Sequence, residues 1–191
     1  MSEANAAAGT AADDDVIDLL LAQHARIEEL FTVLRAAPDN RTELFDELVR
    51  LLAVHETAEE EILHPYARRL FDGANAMVED RLAEEHTSKE MLARLYDGGV
   101  DAPDFAVGLD ALRREVLTHA AYEQRYEFPA IRAAADAGTL RTMAAAMQIA
   151  ESVAPTRPHP GVESTTANLL LGPPMAVFDR ARDLFREKAH H

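Results

Sequence analysis

Apolar residues recur three and four positions apart along most of this chain, and alternating apolar–polar runs are nearly absent. That period paints one stripe on a helix and argues against strands. The first stripe is Ile17, Leu20, Leu21, Ile27, Leu30, Phe31 and Leu34. It predicts a helix that starts from an Asp cap at Asp14 or Asp15 and runs to about Ala37, where Pro38 stops it. A second helix starts from Asp39 or Asn40 and ends before Gly73. A third runs from about Ala74 to Tyr96 and stops at Gly98-Gly99. A fourth opens with Pro103, a favoured first-turn residue, and ends before Gly138. Short turns between four long helices predict antiparallel neighbours, hence an all-α, up-down-up-down four-helix bundle.

The pattern changes after Gly138. Thr139 to Ser152 reads as a shorter amphipathic helix with Met143 and Met147. Ala154 to Pro160 holds three prolines and is not helical. Pro173-Pro174 opens a last helix with Val177, Phe178, Ala181, Leu184 and Phe185 at helical spacing. The expected organisation is a disordered N-terminus over 1–12, the bundle over 13–137, and a C-terminal extension of helix, Pro-rich loop and helix over 138–191.

Composition narrows the function. A length of 191 residues suits one domain with a tail. With 19 Lys and Arg against 34 Asp and Glu, the formal charge is −15, which repels phosphate backbones and anionic membrane surfaces. The absence of cysteine excludes disulfides, thiolate zinc sites, iron–sulfur clusters and thiol nucleophiles. Met1 to Ala12 lacks the basic start and long apolar run of a signal peptide, and no apolar run approaches the roughly 20 residues of a spanning helix. These features lead us to expect a cytoplasmic protein without nucleic-acid or membrane partners.

The candidate chemistry lies in histidines. His24, His55, His86 and His119 fall one per long helix, with separations of 31, 31 and 33 residues. One helix plus one turn has about that length, so all four sit at similar depth in an antiparallel bundle. A lone buried His is usually satisfied by a neighbour, but four imidazoles converging in a dry core would leave several polar groups unpaired. A metal ion satisfies them together. Glu59 and Glu123 follow His55 and His119 by four residues, one turn along the same face.

An internal repeat strengthens this reading. His55, Glu59, Pro65 and Arg68 recur as His119, Glu123, Pro129 and Arg132, 64 residues on. A proline inside a helix costs about 3 kcal/mol or forces a kink. Twice at one offset from a His/Glu pair, it predicts a shared bend beyond the site. Other groups have plainer readings. His64, nine residues after His55, is expected about 180° round the helix and away from the site. Glu60 and Glu61 read as a solvated face, and Tyr122 as a packing residue.

With His24, the motif His55-x-x-x-Glu59-Glu60 with Pro65, Glu85-His86, and His119-x-x-x-Glu123 with Pro129, the chain resembles the hemerythrin-like, or HHE cation-binding, family. The resemblance spans about residues 15 to 135. It implies a four-helix bundle around a non-haem di-iron site, with His24, His55, His86 and His119 as terminal ligands and Glu59 and Glu123 bridging. Oxygen-carrying hemerythrins carry a fifth His one turn after the third-helix His, where this chain has Glu90. Glu56, three residues before Glu59, is the preferred substitute, with Glu90 second.

The expected cofactor is two iron ions, oxo- or hydroxo-bridged, with zinc or manganese also compatible with the donors. The expected partner is a small molecule: O2, peroxide or NO. Carriage or sensing of O2, peroxide breakdown, and iron buffering are the competing roles. The added carboxylate should favour Fe(III) and weaken reversible oxygen carriage.

Overall fold

A computed structural model describes residues 15–36 and 39–153, with side chains to residue 149. The expectations for residues 1–12, for Pro38, for the Pro-rich stretch and for the last helix lie outside the described residues. Among those described there is no strand.

Among the described residues seven α-helices form in order: α1 Val16–Arg35, α2 Arg41–Ala58, α3 His64–Ala67, α4 Ala74–Gly98, α5 Phe105–Tyr122, α6 Phe128–Ala134 and α7 Ala137–Val153. α1, α2 with α3, α4, and α5 with α6 are the four rods of the bundle, and α7 packs against α1 and α2. The α1 start is a capping box: Asp15 accepts from the backbone of Ile17 and Asp18, and Asp18 accepts from Asp15 N–H. Gly73 and Gly99 bracket α4 with φ of 97° and 75°, which side chains with a Cβ rarely adopt. The second rod stops at Ala67, short of the turn at Gly73, and the fourth starts at Phe105, with Pro103 in the preceding turn.

Where the paired prolines predict a shared bend, the structure has a π-helical turn in each rod. One spans Glu59–Leu63 and the other Glu123–Glu127, each just before the residue that precedes the proline. The backbone N–H of His64 donates to the Glu59 carbonyl and that of Phe128 to the Glu123 carbonyl, five residues back. Proline has no N–H to give and its ring crowds the carbonyl four residues earlier, so a wider turn there relieves both faults. Each π turn inserts one residue, which rotates everything beyond it by about 100°.

Two apolar clusters fill the interior. One contains Ile27, Leu30 and Phe31 of α1, Leu48 and Leu52 of α2, Leu92 of α4, and Leu109 and Leu112 of α5. The other contains Ile17 and Leu20 of α1, Leu63, Val78 of α4, Ile131 of α6, and Met143 and Met147 of α7. Each fully buried side chain of this size stabilises the fold by about 1.5–3 kcal/mol. On every rod the buried acids and histidines lie between the two clusters: His24, then His55 to Glu59, then Glu85, then His119 to Glu123. The bundle is thus apolar, then polar, then apolar along its axis.

Candidate metal centre

Each rod contributes to the polar layer from a buried face. His24 and His55 approach through their Nε2 atoms, 3.0 Å apart. His55 Nε2 lies 3.4 Å from Glu59 Oε2, and His24 Nε2 lies 3.4 Å from Glu123 Oε2. The other oxygen of Glu123, Oε1, is 3.3 Å from His119 Nε2. Two groups of ligand atoms result, each with its atoms within 4.8 Å of one another: His24, His55, Glu59 and Glu123, and then Glu59, Glu85 and His119. Glu59 belongs to both, and Glu123 turns one oxygen to each side.

The outward nitrogens of the three imidazoles are held. His55 Nδ1 donates to Gln23 Oε1 at 2.7 Å. The side-chain amide of Gln124 reaches His24 Nδ1 at 2.9 Å. His119 Nδ1 donates to Glu84 Oε2 at 3.0 Å. Such partners fix ring orientation with Nε2 aimed inward; His55 and His119 are held as metal ligands commonly are, through a donated Nδ1–H, whereas His24 Nδ1 accepts from the Gln124 amide.

The electrostatics point the same way. Glu59 and Glu123 are both 0% exposed, and neither oxygen of either carboxylate has a hydrogen-bond partner. Burial first, and the Glu123 charge second, push the Glu59 carboxyl well above its ordinary range. Burial also raises Glu123, but the adjacent His119 and His24 outweigh it and hold that carboxyl well below. His55 is driven well below the usual imidazole value by burial and by His24 beside it. Burial opposes a charge on His119 as well, yet Glu123 and Glu84 raise it to about 10. A buried carboxylate without a partner costs several kcal/mol, and two side by side cannot both stay ionised cheaply. A cation between them resolves both costs, so the residues present fit one. The mixed imidazole and carboxylate donors suit iron, manganese or zinc.

Most of the predicted residues meet here, and two do not enter either group. His24, His55, Glu59, His119 and Glu123 converge. His86 does not: its side chain is 75% exposed and lies 3.3 Å from Glu90, itself more than half exposed. α4 buries Ala74, Val78, Arg81, Glu85, Ser88 and Leu92, so the inward residue at this level is Glu85, and His86 is one residue, about 100°, out of phase. The signal was present: Glu85 lies seven residues from both Val78 and Leu92. Glu56 is buried but stands aside from both groups, with its Oε2 3.7 Å from Lys89 Nζ. Burial lifts its carboxyl to about 8, against the pull of Lys89. Lys89 also pairs with Glu60 and lies 3.8 Å from Glu85 Oε2.

His64 overturns its expected outward placement. It is buried, with Nε2 2.7 Å from Glu85 Oε1 and Nδ1 2.9 Å from Glu127 Oε1. The π turn explains this: with one residue inserted, His64 sits about 80° from His55 rather than 180°. Burial disfavours its charge, but the two carboxylates outweigh that and raise it to about 9.

The fold is shared with a hemerythrin HHE cation binding domain-containing protein of Mycobacterium kansasii, at a TM-score of 0.65 and 22% identity over 88% of this chain and 99% of that one. A protein of Nostoc sp. (strain PCC 7120 / SAG 25.82 / UTEX 2576) named DNA nickase is 27% identical over 122 residues, 63% of this chain. This chain spans only 34% of that relative's length. Residues 15–131 match the family model described as hemerythrin HHE cation binding domain. That match covers three rods whole, the fourth as far as Ile131, and every residue of the polar layer, and the chain belongs to the hemerythrin HHE cation-binding family.

Proposed function

We propose that the chain is a non-haem di-iron protein that binds or senses O2 or a related small molecule such as peroxide or NO. The observation that carries the reading is the pair of adjoining ligand groups that share Glu59, with Glu123 offering one oxygen to His24 and one to His119. His24, His55, Glu59 and Glu123 would hold one iron. His119, Glu85 and the same two bridging carboxylates would hold the other. Bound there, an iron pair would supply one- and two-electron redox chemistry toward such molecules. Gln23, Gln124 and Glu84 orient the imidazoles, and the apolar clusters on either side exclude bulk water.

A second reading, peroxide breakdown, draws on the same layer. Glu85 in place of an imidazole makes the second position rich in carboxylate, and anionic oxygen donors stabilise Fe(III) over Fe(II). That balance favours oxidation over reversible carriage. Nicking of DNA is named for a relative of which this chain matches about a third, and the charge of −15 opposes a phosphate backbone.

The test is metal content per chain together with the ultraviolet–visible spectrum of the reduced protein before and after air. Two irons with a charge-transfer band that disappears on deoxygenation support binding or sensing. Two irons that oxidise irreversibly, with peroxide consumed faster than by free iron, move the function to peroxide chemistry. Protein that takes up no iron overturns both readings.

A further inference from the structure

His64 is a buried polar side chain that belongs to neither group of ligand atoms. Both of its nitrogens face carboxylate oxygens at hydrogen-bond distance, Glu85 on one side and Glu127 on the other. Whichever ring nitrogen carries a proton therefore has a carboxylate oxygen to accept it, and the ring is tied on both sides. Glu85 is thereby divided in function. Its Oε1 receives the His64 bond, while its Oε2 is buried without a hydrogen bond, 3.8 Å from Lys89 Nζ. Glu85 is also the acid that α4 brings within reach of Glu59 and His119.

The clip spans three parts of the fold. His64 begins α3, Glu85 is in mid-α4, and Glu127 closes the second π turn. The internal repeat supplies a comparison within the same molecule. The residue 64 positions after His64 is Phe128, also the first residue after a π turn. Phe128 stacks on His24 with ring centres 5.6 Å apart. One backbone position, used twice, meets one side of the polar layer with an apolar ring and the other with a hydrogen-bonding one.

We propose that His64 is a positioning residue for the second cation position: braced by Glu127, it fixes the rotamer of Glu85 and leaves one carboxylate oxygen for the cation shared with Glu59 and His119. The inference rests on the two-cation reading above.

The test is calorimetric titration of the metal-free, full-length protein with Co(II), with the visible Co(II) spectrum recorded at each step. The wild type should show two binding steps. His64→Phe, which copies the residue of the repeat, should leave the first step unchanged and weaken the second by about 10–100-fold, the usual cost of losing a partner that orients a ligand. His64→Gln, which can donate one amide N–H to Glu85, should recover part of the loss and restore the second-step spectrum. Unchanged affinities in His64→Phe, or equal weakening of both steps, overturn the proposal. Should circular dichroism show His64→Phe unfolded, His64→Gln and Glu127→Gln decide: a second step of wild-type affinity in both overturns it, and a selective loss in either supports it. A wild type that binds no Co(II) overturns the two-cation reading itself, whereas two wild-type steps that survive His64→Phe overturn only the role of His64.

Discussion

Residues 55–68 and 119–132 carry the same His, Glu, Pro and Arg at the same offsets, and both pass through a π turn before the proline. They nevertheless end in different surroundings. His55 faces another imidazole, His24, and is held by a neutral amide, Gln23. His119 shares its group with two carboxylates, Glu59 and Glu85, and is held by a third, Glu84. The two equivalent acids diverge as well: Glu59 is pushed up and Glu123 held down. The repeated rods set equivalent positions. The unrepeated rods, α1 and α4, decide the chemistry at each, because one turns His24 inward and the other Glu85.

Substitutions at matched positions can break or sharpen that contrast. The largest effect is expected where the halves act alike. Glu59→Ala and Glu123→Ala should each abolish uptake at both positions, measured as metal per chain, since Glu59 belongs to both groups and Glu123 turns one oxygen to His24 and the other to His119. Loss of half the metal in either variant would show that the acid does not bridge.

The unrepeated rods should then separate the halves. His24→Ala should weaken the first cation alone and Glu85→Ala the second alone, each by more than about 100-fold, since removing a ligand exceeds the loss of an outer partner. Competition titration with a chromophoric chelator would read both. If each variant weakened both cations equally, the two positions would be one.

Away from the polar layer the halves should differ only in packing. Leu52 and Val116 are equivalent positions three residues before each His, and both are buried. Leu52→Ala should cost about 2–5 kcal/mol in metal-free denaturant unfolding. Val116→Ala should cost less, by about 0.8 kcal/mol for its one fewer methylene. Neither should change metal content, and a change would mean that the apolar cluster sets ligand geometry.

The partners of Nδ1 come next. Gln23→Leu should weaken the first cation and Glu84→Leu the second, each by about 10–100-fold in the same competition titration. The smallest effect concerns the equivalent of His64. Phe128→Leu keeps the volume nearly filled but removes the stacked ring against His24, a loss of about 0.5–1.5 kcal/mol in thermal unfolding. A larger loss, with metal content reduced, would make Phe128 a support for the imidazole.

Much of the candidate site is legible in the sequence. The repeat marked Glu59 and Glu123 as equivalent, and their four-residue offset from His55 and His119 placed acid and imidazole on one face. His24 lay on the stripe of Leu20, Ile27 and Phe31, strong enough to settle its phase. α4 was different. Its sequence is polar on nearly all sides, and equal spacing from the other histidines favoured His86, whereas the sparse Ala74, Val78 and Leu92 stripe runs through Glu85.

The order of helices, the paired bends and five of the converging side chains follow from local properties of the chain: period, proline and offset. Glu85 instead of His86, and the inward turn of His64, were decided by tertiary structure. A helix with a weak stripe takes its rotation from the rods it packs against, and one inserted residue in a π turn changes the facing of everything beyond it by about 100°.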